Sequence, residues 1–411
     1  MASTTWDLVG KKQPTEKVKK ATIVEEVTED LKIASKLREI MPDTKLDKEQ
    51  TMTGGEKQDD TYINTPEVGD DFDFVMAYDD DPAAGDERLL ADNSAPSAIN
   101  CGFIGVGGGG GKIVKAFLDL GFTKTILVNT TEKDQPSGVD PQHFVLVPGA
   151  DGVGKDIALG KKVIAENSAF VEDAVRTRIG HVDWLFVVAG GGGGTGSACY
   201  ELDASLNRYL QSIEASGKVV YIITKPTAQE ILNPTIKTNY ASLLADVAES
   251  PHIIIDNERQ LQLLRGKAGL LNMMPVANKN FAKLVSQVFK LASEHTEIQT
   301  FDTKDLERCL GTPGRMVIGS TVVRDVNRND LGSLVYQGCL RSSPCPTPSG
   351  STETGALLLI VDNAMASDPD VGRRLESAFS YVGGRANTVF SGIYIKEGIP
   401  GLIAITLLGG L

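Results

Sequence analysis

Residues 189–197 read Ala-Gly-Gly-Gly-Gly-Gly-Thr-Gly-Ser, between an apolar run, Trp184–Val188, and a segment with helical patterning from Ser197 to about Leu210. Strand, glycine loop and helix in that order make an anion trap. Glycine lets a backbone take positive φ and approach a ligand closely. The helix that follows offers unpaired N–H groups and the positive end of its dipole. Gly191, Gly192, Gly193, Gly194, Thr195, Gly196 and Ser197 are therefore suited to cradle a di- or triphosphate. No Lys-Ser or Lys-Thr pair follows them, so the loop is not a P-loop. A flexible linker would share the composition, but linkers seldom separate a buried strand from an amphipathic helix.

A second unit of this kind opens the body of the chain. Asn100–Val106 is a short apolar strand, Gly107–Gly111 follows, and Lys112–Leu120 places Ile113, Phe117 and Leu120 on one helical face. The phosphate-facing candidates here are Gly107, Gly108, Gly109, Gly110 and Gly111. Gly105, Gly107 and Gly110 also match G-x-G-x-x-G, which leaves a Rossmann-type oxidoreductase as an alternative. That alternative expects an acid at the end of the next strand, about 20 residues on. Thr125–Asn129 ends instead in Asn129, and Glu132 is the first acid after it. Lys112 could add positive charge near the phosphates, or be a solvated helix residue. A third glycine loop, Pro148–Lys155 with Gly149, Gly152 and Gly154, follows the strand Phe144–Val147 and precedes a helix over about 156–178.

Polar side chains stand at the ends of the remaining elements. Val219–Thr224 is a buried strand leading through Lys225-Pro226 to Glu230, and the strand His252–Asp256 leads to Asn257. An Asn side chain carries donor and acceptor together, which suits a purine edge. In this place Asn257 could equally cap the next helix. Phe281, Leu284, Val285, Val288 and Ala292 recur at helical spacing, so Asn278 and Asn280 belong to the first turn of a long helix. Beyond its far end, Asp302 and Asp305 stand three apart, by themselves a helix-capping pattern.

The elements that must hold these groups fit a chain of 411 residues, 41% apolar and 23% charged, enough for two domains and extra segments. No apolar run approaches the roughly 20 residues of a membrane span, and Met1–Trp6 has no signal-peptide character. Five cysteines form no C-x-x-C pair and four histidines are scattered, so no metal site or disulfide framework is expected and a reducing cytoplasm is the default. The net charge of −13 disfavours direct nucleic-acid binding. Residues 51–95 hold thirteen Asp/Glu against two Lys/Arg and so carry most of that charge. With an amphipathic helix expected within 16–41, residues 1–95 read as an arm, either a solvated tail or a binder of an adaptor or cargo through Phe72, Phe74 and Tyr78. At the other end, strands over 315–323, 356–362, 389–395 and 402–408, a helix over 370–382 and a Pro/Ser-rich loop over 342–351 make an α+β unit.

The loop Gly191–Ser197 resembles the signature loop of the tubulin/FtsZ superfamily of polymerising GTPases, and the other loops occur in that family's order over residues 100–411. The resemblance, closest to a prokaryotic or phage tubulin-like branch, implies an α/β fold. A Rossmann-like GTP-binding domain with a parallel sheet would span 96–275, a core helix 276–297, and a smaller α+β domain 298–411. It implies GTP/GDP and Mg2+ as cofactors. The three glycine loops and Asn129 would lie around the phosphates, Glu230 at the ribose, and Asn257 with Asn280 (or Asn278) at guanine. The family's guanine-stacking aromatic would fall near Val276, a departure. Asp302 and Asp305 would act on the nucleotide of the next subunit in a head-to-tail homopolymer and polarise its attacking water. The chain ends at its last strand, which favours positioning of DNA or of plasmid or phage cargo over cell division. A nucleotide-binding structural protein without turnover remains a further alternative.

Overall fold

The computed structural model describes residues 89–269 and 271–411. The helix expected within 16–41 and the aromatic cluster Phe72, Phe74 and Tyr78 lie outside the described residues. Ten strands form one sheet: β1 Cys101–Val106, β2 Thr125–Asn129, β3 Phe144–Leu146, β4 Trp184–Gly190, β5 Val219–Lys225, β6 His252–Asp256, β7 Arg315–Val323, β8 Thr352–Val361, β9 Ala386–Ile395 and β10 Leu402–Gly409. The α-helices are α1 Gly107–Leu118, α2 Ile157–Glu166, α3 Ser168–Ala174, α4 Gly194–Ser197, α5 Asp203–Ser212, α6 Ala228–Ile231 and α7 Pro234–Val247. They continue with α8 Asn257–Leu264, α9 Met273–Ser293, α10 Thr303–Leu310, α11 Leu331–Ser342, α12 Asn363–Ser367 and α13 Pro369–Gly383.

The sheet order is β3-β2-β1-β4-β5-β6-β7-β10-β8-β9. Strands β1 to β6 are parallel, whereas β10 runs antiparallel to both β7 and β8. The two halves join through a short seam, in which β6 and β7 pair only at His252↔Arg315 and Ile253↔Met316. The expected α/β architecture is therefore present, with the second unit continuing the first sheet.

Alternation along the buried strands decides which helices cover which face. Phe103, Trp184, Phe186 and Val188 point to one side, while Ile104, Val106, Leu185, Val187 and Ala189 point to the other. Helices α1 and α9 cover the first side through an aromatic chain. Phe103 stacks on Phe117 at 4.2 Å and on Phe186 at 5.0 Å, and Phe281 and Phe289 of α9 meet Phe117 and Phe186 at 6.2 and 5.6 Å. Parallel strands buried on both faces need this two-sided cover. Among the described residues no helix is long and apolar enough to cross a membrane.

Several boundaries differ from expectation. Helix α1 begins at Gly107 inside the glycine run, and not at Lys112. The helix expected after Ser197 starts at Gly194, breaks after Ser197 and resumes at Asp203. The one expected over 156–178 is divided at Asn167, which also ends α2 by donating to the Val163 carbonyl at 2.8 Å. The packed body reaches back before residue 95. Leu90 is buried and its N–H donates to the Arg178 carbonyl at 2.8 Å, while Asn93 Nδ2 donates to the Cys101 carbonyl at 2.7 Å.

Candidate nucleotide site

The strand order reverses between β1 and β4, and open α/β sheets bind ligands at the carboxyl ends of the strands flanking such a point. Those two strands end in the two glycine runs, at Val106 and Gly190. The glycines are what let the runs approach each other. A Cβ on Gly110 would lie 2.0 Å from the Val188 carbonyl oxygen, and one on Gly196 would lie 2.7 Å from that of Gly190. Gly107 has φ +71° and leaves only 2.9 Å from its Cβ position to the Gly196 nitrogen. A Cβ on Gly109 or Gly194 would also crowd backbone, whereas one on Gly193 meets nothing within 4 Å. The first helix has neither a side-chain cap nor an acid in its first turn, and the same is true of α4. Their first turns are therefore free of side-chain caps and of negative charge, as an anion-binding helix start requires.

The third loop is tied into the same place. Gly194 N–H donates to the Gly154 carbonyl at 3.1 Å, and Gly152 N–H to the Thr130 carbonyl at 2.8 Å. Gly149, Gly152 and Gly154 all have positive φ. Thr130 and Thr195 hydroxyls lie 3.0 Å apart and are buried. Asn129 is buried at the end of β2, where its Oδ1 accepts from Thr130 N–H at 2.8 Å. Asn239 of α7 was not legible in the sequence as a site residue. Its Nδ2 donates to the carbonyls of Lys155 and Gly192, at 2.9 and 3.2 Å, and pins two glycine loops together. Isolated polar residues in helices are common, so no local signal marks it.

The other candidates divide. Ser197 Oγ and Asn257 Oδ1 are buried without a hydrogen-bond partner in the protein, an arrangement that favours a polar ligand. Asn257 does not cap α8. The cap is Asp256, whose carboxylate accepts from Arg259 N–H at 3.2 Å, which leaves the Asn257 side chain available. Asn278 is buried and Asn280 exposed. Two residues span about 200° of helix, so they lie on opposite sides of α9. Glu230 is exposed in a capping box, accepting from Thr227 N–H at 2.8 Å and from its hydroxyl at 2.9 Å. Lys112 is exposed on α1. A largely buried ion pair, Lys225 with Asp256 at 3.2 Å, joins the ends of β5 and β6 beside the crevice.

Asp302 and Asp305 form a reciprocal capping box at the start of α10: Asp305 N–H donates to Asp302 Oδ1 at 3.0 Å, and Asp302 N–H to Asp305 Oδ2 at 3.3 Å. Partial burial raises the Asp305 carboxyl above the usual carboxylate range, with the Asp302 charge adding to it. These acids lie away from the glycine loops. At the C-terminus of α10, the Gly311 carbonyl accepts from Lys218 Nζ at 3.2 Å, next to the beginning of β4 and β5. The loops stand at the other end of β4, about 20 Å along the strand, and α9 spans about 30 Å between the two regions.

No known family model matches the sequence. Solved structures do share its fold. TubZ of Bacillus thuringiensis serovar israelensis, as a GTPγS-form protofilament, is 18% identical with a TM-score of 0.64 over 77% of this chain and 89% of that one. CetZ2 of Haloferax volcanii, a GTPγS-bound protofilament, is 22% identical at a TM-score of 0.61 over 76% and 93%. An empty FtsZ dimer of M. jannaschii is 18% identical at 0.56 over 75% and 87%. The chain has the fold of the tubulin/FtsZ proteins.

Proposed function

We propose that this protein binds and hydrolyses GTP and assembles head to tail, each subunit completing the nucleotide site of the next. The observation that carries the reading is the close approach of the β1 and β4 glycine runs at the point where the strand order reverses. The loops Gly107–Gly111, Gly149–Gly154 and Gly191–Ser197 would wrap the phosphates and bind them through backbone amides other than those of Gly152, Gly191 and Gly194, which donate within the protein. The orphaned acceptor of Asn257 would take a hydrogen bond from the N–H edge of guanine, and Asn280 or Asn278 would supply the second contact. Phosphoryl transfer depends mainly on positioning and charge neutralisation, which such amides provide without a P-loop lysine.

Among the described residues no three His, Cys, Asp or Glu cluster as a metal cage. A Mg2+ ion would be held mostly by phosphate oxygens and water, where it neutralises charge. Asp302 and Asp305 lie too far along the sheet to reach a nucleotide in their own subunit. Stacking subunits end to end would bring them to the neighbour's phosphates, where they would orient and polarise water. Two of the structures sharing the fold are GTPγS protofilaments, which supports this arrangement. Sedimentation of the purified full chain tests the reading. The expected result is a pellet that needs GTP or GTPγS and does not form with ATP. Equal pelleting with ATP, or none with any nucleotide, would overturn it.

A further inference from the structure

The segment between α9 and α10, which carries Asp302, lies against the outermost strand of the sheet. Strand β9 is the last in the order, and an exposed edge strand needs a cover. The segment supplies it. Gln299 pairs with Ile393 in antiparallel fashion, with Ile393 N–H donating to the Gln299 carbonyl at 2.8 Å. Thr296 Oγ1 donates to the Ile393 carbonyl at 2.7 Å, and Gln299 Nε2 to Ser391 Oγ at 2.6 Å. An ion pair of Lys396 with Glu294 at 2.7 Å fastens the start of the segment.

The final anchor lies one residue before the first acid. Phe301 is fully buried, and its carbonyl accepts from the hydroxyl of Tyr394, which is 2% exposed, at 3.2 Å. Gly392 makes the room: a Cβ there would stand 2.7 Å from the Tyr394 ring and 3.0 Å from Phe301 Cβ. Burial, with the charges of Glu294, Asp305 and Asp302 adding to it, pushes the Tyr394 phenol up to about 12, so it stays a donor. The capping box then fixes Asp305 to Asp302. A chain of contacts thus runs from β9 through Tyr394 and Phe301 to the acid pair.

We infer that Tyr394 is a positioning residue for GTP hydrolysis, holding Asp302 in register through the Phe301 carbonyl so that the second domain sets the geometry of the acid loop. This rests on the split-site reading above. Small displacements of positioned groups cost large factors in rate, and Tyr394→Phe removes the hydroxyl while keeping the ring that fills the core. In the full chain assembled at saturating GTP, Tyr394→Phe is expected to lower kcat roughly tenfold, with KM for GTP close to wild type and the protein still folded at the assay temperature, although the unfolding midpoint falls with the lost buried hydrogen bond. Thr296→Val, which releases the segment from β9 at a second point, should act in the same direction.

A double-mutant cycle separates positioning from general weakening. Tyr394→Phe in an Asp302→Ala background should cost no further activity, because the tyrosine acts only through that acid. Additive losses, or wild-type kcat in Tyr394→Phe while Asp302→Ala is slow, would overturn this inference and leave the split site standing. Wild-type turnover in Asp302→Ala itself would overturn the split site.

Discussion

The glycine runs predict two opposite responses to one added methyl group. At Gly110 the methyl would lie 2.0 Å from the Val188 carbonyl oxygen, and the blocking atom is backbone in the middle of a buried sheet. Contact at van der Waals distance needs α1 to move by more than 1 Å away from β4. Overpacking of this kind costs about 1–3 kcal/mol, and here it exceeds the roughly 1 kcal/mol that alanine gains over glycine in a helix. Gly110→Ala should therefore lose both stability and nucleotide affinity. Gly193 has φ −85° and ψ 164°, which any residue adopts, and open space where its Cβ would go. Gly193→Ala should fold as well as wild type, or better by about 0.4–1 kcal/mol from unfolded-state entropy. Its methyl would stand in open space on an exposed loop residue; on the proposed reading the phosphates occupy that space, so GTP affinity should fall at least tenfold. Urea unfolding and fluorescent-nucleotide titration of both variants measure the two effects. Wild-type GTP affinity in Gly193→Ala would refute the reasoning that the loop is glycine-rich to let phosphates approach.

Three further outcomes follow from other parts of the structure. Asn257→Ala removes the orphaned acceptor and should weaken GTP binding by about 1–3 kcal/mol while leaving ATP binding unchanged; competition titration would show an unaltered ratio if Asn257 does not read the base. Burial lowers the His252 imidazole from 6.5 to about 4, so the unfolded chain takes up the proton first and stability declines as pH falls from about 6.5 toward 4. In His252→Asn that decline should be shallower, and denaturant midpoints with an identical slope in both proteins would count against it. Removing residues 1–87, and so keeping the buried Leu90, should shift the assembly threshold if the acidic arm takes part in assembly; an unchanged threshold would leave it a solvated tail.

What the sequence made legible was set by local physics. Strands β2, β6 and β7 have the bounds their apolar runs predict, since fully buried strands flanked by turns carry a strong signal. The three glycine loops were visible because composition this unusual needs a reason. Their mutual contact was not, for it depends on which strands become neighbours. The start of α1 at Gly107 also escaped, because five glycines make a poor helix and packing against β4 holds it. Asn239 and Arg259 were invisible for a related reason. Arg259 Nε donates to the Ser343 carbonyl at 2.6 Å, a bond from α8 to a distant loop. Tyr394 and Phe301 likewise meet across most of the second domain. The pair Asp302 and Asp305 was ambiguous between capping and catalysis, and the structure shows the capping directly.

The dependence of turnover on protein concentration distinguishes a site shared between subunits from one complete in each. Asp302 and Asp305 stand at the end of the sheet away from the glycine loops, so on the proposed reading a lone subunit would hold GTP without a complete site. GTP hydrolysis per subunit should be near zero at high dilution and rise steeply once the concentration passes the threshold for sedimentation. Turnover per subunit that stays constant from well below to well above that threshold would contradict it.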